Sequence, residues 1–123
     1  RDFAALTSDY YERDDPLLVQ ELLRTILPRR GIAAREDEVI LTMGAQNALC
    51  IAAMLLLGPG RRAGVENPGY PALRLVAAAT GAGVVPLDVD AYGLPVDGLR
   101  GVDVVFVTPS HQCPTNATMP VER

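Results

Sequence analysis

The stretch Thr-Met-Gly-Ala-Gln-Asn-Ala-Leu-Cys-Ile-Ala-Ala-Met-Leu-Leu-Leu, residues 42–57, decides the fold that we predict for this chain. A β-prone run at residues 39–41 precedes a turn at Gly44, and helix-forming residues then follow without Gly or Pro until Gly58. Every residue after Asn47 is apolar, so we expect a helix that is buried on all sides. The first N–H groups of a helix have no carbonyl partner inside it, and the helix dipole is positive there. The start of this helix is therefore a candidate phosphate site.

Composition restricts the class of protein. The 123 residues make one domain or a piece of a larger one. The apolar fraction is 49%, with no Trp and two Phe, so the core is expected to be aliphatic. A net charge of −4 and a sequence pI near 4.8 argue against a nucleic-acid surface within this chain.

Cysteine placement and helix length indicate a cytoplasmic protein. Cys50 falls in the apolar helix and Cys113 in a loop, which is typical of free thiols in a reducing compartment. The apolar helix, about 13 residues long, is shorter than the roughly 20 residues needed to span a bilayer. We therefore expect a cytoplasmic chain that makes no membrane contact.

All eleven basic residues are arginines, and the sequence contains no lysine. Chemistry that depends on a lysine amine cannot be completed by these 123 residues. We accordingly predict no catalytic residue in this chain and no activity of the chain by itself, and no metal site either.

The N-terminal third predicts one helix. Asp15 is a suitable N-cap and Pro16 a suitable first helical residue. Apolar residues then recur at helical spacing until Pro28, which is expected to end the helix; they are Leu18, Leu22, Leu23, Ile26 and Leu27. We expect residues 1–35 to form a lead-in and helix that precede the main domain, and residues 36–123 to form part of that domain.

The remaining sequence alternates strands and helices. We predict strands at residues 63–65, 84–89 and 102–107 and a helix at residues 72–80, with Pro86 confined to an edge strand or a strand end. This alternation predicts an α/β fold, a mostly parallel sheet with flanking helices. Ligands of such sheets bind at the carboxyl ends of the strands. The polar loops that follow predicted strands are expected to converge on one crevice; they are residues 44–47, 67–71 and 108–116.

Three motifs carry a family resemblance. Thr-Met-Gly-Ala-Gln-Asn-Ala-Leu at residue 42, Glu-Asn-Pro-Gly-Tyr-Pro at residue 66 and Thr-Pro-Ser-His-Gln-Cys-Pro-Thr at residue 108 occur in this order. Together they resemble the fold-type I pyridoxal phosphate-dependent aminotransferases of class I/II. The chain most resembles the aminotransferase-like domain of MocR-type regulators in the GntR family. The resemblance implies a truncated N-terminal part of the large, cofactor-binding domain.

The resemblance also implies pyridoxal 5′-phosphate as the cofactor of the parent protein. Gly44, Ala45 and Gln46 match the loop whose backbone amides hold the cofactor phosphate, and Tyr70 matches the aromatic residue that stacks on its ring. Tyr10 falls near the tyrosine that reaches the phosphate of the neighbouring subunit in a homodimer, although Tyr11 is adjacent.

The loop at residues 108–116 departs from the wider aminotransferase pattern. Cys113 stands where many relatives have an asparagine that binds the cofactor, and a thiol is a poor donor. His111 or Gln112 is a candidate for polar contacts near the ring, and the alternative is a histidine that satisfies loop backbone. Asn116 replaces a common glycine, and Asn tolerates the left-handed conformation that this turn requires.

Two functions stay open for the parent protein. One is a regulator that senses pyridoxal phosphate or an amino acid or keto acid and binds DNA through a domain outside this chain. The other is a stand-alone catalytic class I/II aminotransferase, whose lysine would lie outside these residues. An unrelated Rossmann-like nucleotide binder is disfavoured, because no Gly-x-Gly-x-x-Gly motif follows a predicted strand.

Overall fold

The chain divides into two compact units, Arg1–Met43 and Gly44–Arg123. The computed structural model describes residues 14–123, so the predicted site residue Tyr10 lies outside the described residues. The domain division that we predict after residue 35 stays a prediction.

The first unit contains the expected helix. Helix α1 spans Pro16–Glu21, and the carboxylate of its N-cap, Asp15, accepts a hydrogen bond from the Leu17 N–H at 2.9 Å. A π-helical segment, Leu22–Ile26, and a final α-helical turn, α2 at Leu27–Arg29, continue it. The prediction that Pro28 ends the helix was therefore wrong. A proline cannot donate the usual helical bond, and the wider turn that precedes it allows the chain to continue for one more residue.

Residues 39–41 do not form the predicted strand. They follow a 3₁₀ turn, Glu36–Glu38, and take no regular structure. The Leu41 N–H instead donates to the Asp14 carboxylate at 2.8 Å. A strand is stabilised by a neighbouring strand that pairs with its backbone, and no described strand pairs with these residues.

Helix α3 spans Gly44–Leu56, within one residue of the prediction, but it is not buried on all sides. Ala53 is fully buried, whereas Met54 and Leu55 are 70% and 78% exposed. Leu49, Ala53 and Leu57 belong to the hydrophobic core, so one face of the helix packs inward. The apolar sequence alone did not reveal that the opposite face has no cover within the described chain.

The three-stranded parallel sheet confirms the predicted α/β fold. Its strands are β1 (Arg62–Asn67), β2 (Gly83–Asp88) and β3 (Val104–Phe106), in the spatial order β2-β1-β3, and helix α4 (Pro71–Ala79) connects β1 to β2. Both pairings of β1 are parallel, and Gly64 lies opposite Val85 on one side and Val105 on the other. Pro86 lies in an edge strand, as predicted.

The core is aliphatic, as the composition predicted, with Phe106 as an aromatic member. Its buried residues come from both helices and the sheet; they are Ala53, Leu57, Ala63, Val65, Leu73, Ala77, Ala82 and Phe106. Strand β1 is central and buried from Ala63 to Glu66, so the loop that follows it leaves the interior at a fixed place. None of the described helices has the length and apolar character needed to cross a membrane.

Candidate functional site

A cavity of about 490 Å³ lies at the carboxyl end of the sheet, within the second unit. Three segments form its walls: the first turns of α3, the turn between β1 and α4, and the end of β3 with the loop that follows. Its lining residues are Ala45, Gln46, Leu49, Tyr70, Leu73, Val105, Phe106, Val107, Thr108 and Cys113. The three polar loops that we predicted from the sequence therefore each contribute to one cavity.

The N-terminus of α3 contributes Ala45 and Gln46 to the cavity wall. Gly44 begins the helix with a φ of +79°, a conformation that favours glycine, and an added Cβ there would meet no atom within 4 Å. The backbone conformation, and not lack of space, therefore explains this glycine. The N-terminal, positive end of a 13-residue helix thus lies at this part of the cavity wall.

Tyr70 faces the same cavity from the residue before α4. Its hydroxyl lies 3.5 Å from Gln46 Oε1, which is a weak contact, and the side chain is 45% exposed. Pro71 follows as the first helical residue, where its missing N–H is no loss. The start of α4 therefore holds the ring opposite the start of α3.

The turn that places Tyr70 is tightly packed. A Cβ on Gly69 would lie 2.5 Å from the Glu66 carbonyl oxygen, so a side chain does not fit there without backbone movement. The peptide bonds before Pro68 in this turn and before Pro114 in the next loop are both cis.

The loop after β3 brings Thr108 and Cys113 to the cavity but not His111. His111 is exposed, has a φ of 56°, and its Nδ1 is hydrogen-bonded to the Ser110 hydroxyl at 2.7 Å. Of the six predicted site residues, Ala45, Gln46 and Tyr70 thus line the cavity and Gly44 adjoins it. The left-handed conformation predicted for Asn116 is confirmed, with a φ of 57°.

Gln112 takes a different role from the one that we considered for it. Its side chain is 1% exposed, and both ends of its amide are bonded to protein groups, so it offers no group to a ligand. Its partner Glu66 is 3% exposed and was not singled out from the sequence. The sequence signal that could have identified Glu66 was its position directly after the predicted strand residues 63–65.

The cavity wall has little charge of its own. Its lining residues include no Asp, Glu, Arg or His side chain. Cys50 and Cys113 are both free thiols, as expected. Asp103 lies just before β3, at the end of the sheet opposite the cavity. It accepts a hydrogen bond from the Arg62 N–H at the amino end of β1, and this bond lowers the pKa of the Asp103 carboxyl. Electrostatic attraction for an anion would therefore come mainly from the backbone at the start of α3.

Comparisons with known proteins support an aminotransferase-like fold within a regulator family. No protein-family model matches the chain. The HTH-type transcriptional regulator TauR of Rhodobacter capsulatus is 58% identical over 124 residues, which is 100% of this chain and 26% of TauR. The probable rhizopine catabolism regulatory protein MocR of Rhizobium meliloti is 32% identical over 87% of this chain and 22% of MocR.

A solved structure confirms the fold. The kynurenine aminotransferase of Pyrococcus horikoshii, solved in complex with PMP, superposes with a TM-score of 0.83 at 23% identity, covering 99% of this chain and 33% of that enzyme. The chain thus spans about a quarter of the regulators and a third of the enzyme. The sequence similarity to a part of these regulators confirms the predicted resemblance to MocR-type proteins.

Proposed function

Because this chain has the aminotransferase fold and is related to the aminotransferase-like part of MocR-type transcriptional regulators, we propose that it forms part of the pyridoxal 5′-phosphate site of such a regulator. The observation that carries this proposal is the meeting of Ala45, Gln46 and Tyr70 on one cavity at the carboxyl ends of parallel strands. The start of a helix can bind the phosphate of such a cofactor, and an aromatic side chain can stack on its flat ring.

The residues present fit the phosphate end of this cofactor. In the proposed site, the backbone N–H groups of Ala45 and Gln46 hold the phosphate, and Gly44 supplies the turn that directs them. No Asp or Glu is among the lining residues to repel an anion. The cavity volume, about 490 Å³, lies within the range of roughly 300–1,000 Å³ that is typical of small-molecule sites.

Tyr70 fits the ring end. A flat, electron-poor ring is held well by an aromatic face, and such a pair contributes about 0.5–1.5 kcal/mol beyond area burial. Leu49, Leu73 and Phe106 add an apolar wall against which the ring can pack. Tyr10, which lies outside the described residues, is proposed to reach the phosphate bound by a second subunit.

The bound cofactor supplies an electron sink for amino-group chemistry. The residues of this chain hold and orient it, and with no lysine among them the covalent attachment and the proton transfer at the substrate must come from another part of the parent protein. In a regulator, binding of the cofactor or of an amino acid or keto acid then acts as the signal.

The proposed partners follow from the same relationship. We propose a homodimer that binds DNA through a region outside this chain, because the chain carries a net charge of −4 and the relatives are HTH-type regulators. The exposed apolar side chains of α3, such as Met54 and Leu55, support an interface with further protein. Such a regulator acts in the cytoplasm, where its two free thiols remain reduced.

The substitution Ala45→Asp tests the cofactor site in the full-length protein. A carboxylate in the first turn of α3 repels the phosphate, and we expect affinity for pyridoxal 5′-phosphate to fall about tenfold or more in an absorbance titration. The same carboxylate is favourable for the helix itself, so the melting temperature should not fall. Opposite effects on affinity and stability distinguish site disruption from unfolding.

Ala72→Asp is the matched control. Ala72 holds the second position of α4, as Ala45 does in α3, but does not line the cavity. We expect it to keep the parental affinity. The proposed function would be contradicted if Ala45→Asp and Ala72→Asp bound pyridoxal 5′-phosphate with equal affinity, or if the parent protein did not bind it.

A further inference from the structure

Glu66 and Gln112 are the two deeply buried polar side chains of the described chain, 3% and 1% exposed. They lie 46 positions apart, Glu66 near the end of β1 and Gln112 in the loop after β3. Each belongs to a different sequence motif, and only the fold brings them together.

Every polar atom of the pair has a partner. One Glu66 oxygen accepts from the Thr108 N–H at 3.2 Å, and the other accepts from Gln112 Nε2 at 3.2 Å. Gln112 Nε2 also donates to the Pro68 carbonyl at 2.8 Å. Its Oε1 accepts from the N–H and the hydroxyl of Thr115, at 3.2 and 2.6 Å.

The pair joins segments that carry two walls of the cavity. Pro68 lies two positions before Tyr70, Thr108 itself lines the cavity, and Cys113 follows Gln112 directly. The pair thereby links the turn before α4 to the loop after β3. Neither Glu66 nor Gln112 lines the cavity itself.

Stability is a poor explanation for this arrangement. Burying a carboxylate carries a large desolvation penalty, and no arginine of the described residues forms an ion pair with Glu66. A fully bonded polar network of this kind does, however, define one geometry, because a shift of either loop leaves a buried group without its partner.

We infer that Glu66 and Gln112 are positioning residues: they hold the Tyr70 turn and the loop from Thr108 to Cys113 at the separation that the cofactor requires. The inference rests on the proposed function. Glu66→Gln replaces one of the two acceptor oxygens by an NH₂ group, which faces either Gln112 Nε2 or the Thr108 N–H, so two donors meet in either orientation. Gln112 cannot rotate to relieve this without losing both bonds from Thr115.

Thr115 allows a milder test, because it is exposed and does not line the cavity. Thr115→Val keeps the shape of the side chain but removes the hydroxyl that orients Gln112, whereas Thr115→Ser keeps that hydroxyl. For Glu66→Gln the matched control is Glu36→Gln, the same chemical change at an exposed position of the first unit.

The experiment measures pyridoxal 5′-phosphate affinity by absorbance titration, and melting by circular dichroism, for these variants of the full-length protein. We expect Glu66→Gln to lose about tenfold or more in affinity and Thr115→Val several-fold. Thr115→Ser and Glu36→Gln should match the parent. Rescue by serine is a result that general loosening of the fold does not produce.

The outcomes separate this inference from the proposed function. If the parent protein does not bind the cofactor, the proposed function fails. If the parent binds and both Glu66→Gln and Thr115→Val bind equally well, or lose only thermal stability, the positioning role is overturned. If Glu66→Gln does not fold, the affinities of Thr115→Val and Thr115→Ser test the positioning role, which requires the valine variant to bind more weakly than the serine variant.

Discussion

The Tyr70 hydroxyl lies 3.5 Å from Gln46 Oε1, although the two residues are 24 positions apart and belong to different elements. Gln46 lies in the first turn of α3, and Tyr70 precedes α4. Their proximity sets an aromatic ring beside a helix N-terminus. A ligand that offers a phosphate at one end and a flat ring at the other matches this pair.

The ring of Tyr70, and not its hydroxyl, is expected to matter for binding. Tyr70→Ala should weaken pyridoxal 5′-phosphate binding by about two- to tenfold, the loss that corresponds to an aromatic stacking pair. Tyr70→Phe loses only the weak contact to Gln46 and should stay within about twofold of the parent. Absorbance titration of the full-length protein measures both. Equal losses in the two variants would show that the ring does not stack.

Two leucines on α4 provide a matched test of the core. Leu73 is 7% exposed and packs in the core, and Leu75 is 73% exposed. Leu73→Ala should lower the free energy of unfolding by about 2–5 kcal/mol, because it removes buried methyl groups and leaves a cavity. Leu75→Ala should change it by less than about 0.5 kcal/mol. Urea denaturation followed by circular dichroism gives both values, and similar losses would contradict the packing of α4.

Asp103 makes stability depend on pH. A hydrogen bond from the Arg62 N–H, at 2.7 Å, and then the Arg61 side chain lower the pKa of Asp103 from its ordinary value of 3.8. Because the folded-state pKa is the lower one, this contribution is complete above the unfolded-state value and is lost as pH falls toward the folded-state value. Asp103→Asn should therefore be less stable than the parent at neutral pH.

The stability gap between the parent and Asp103→Asn should narrow once the pH drops below the ordinary carboxyl value of 3.8. Denaturant midpoints measured across this range report the gap. A gap that stays constant throughout would mean that the Asp103 charge contributes nothing to folding.

Local chemistry allowed much of the fold to be predicted from sequence. Asp15 caps α1 because its side chain reaches an N–H two residues along the same chain. Pro86 occupies an edge strand because it cannot donate to a ladder. The alternation of strands and helices likewise required a parallel sheet, with polar loops at its carboxyl end. For the candidate site, the family motifs named Ala45, Gln46 and Tyr70, and all three line one cavity. Their binding of the cofactor stays a prediction.

Contacts between residues that are far apart in the sequence could not be predicted from local chemistry. Residues 39–41 have the composition of a strand, yet the Leu41 N–H bonds to Asp14, 27 positions away. Helix α3 is apolar throughout, yet Met54 and Leu55 are exposed, because packing selects one face and composition does not.

The sequence by itself determined most of the helices and strands, the parallel sheet and the three motifs, because these depend largely on neighbours along the chain. The strand predicted at residues 39–41 is the exception. Only the tertiary structure decided that Glu66 meets Gln112 and that His111 does not line the cavity. Burial is the physical reason: a polar side chain without water must find its partner in space, and that partner lies on a strand end or loop that only folding brings near.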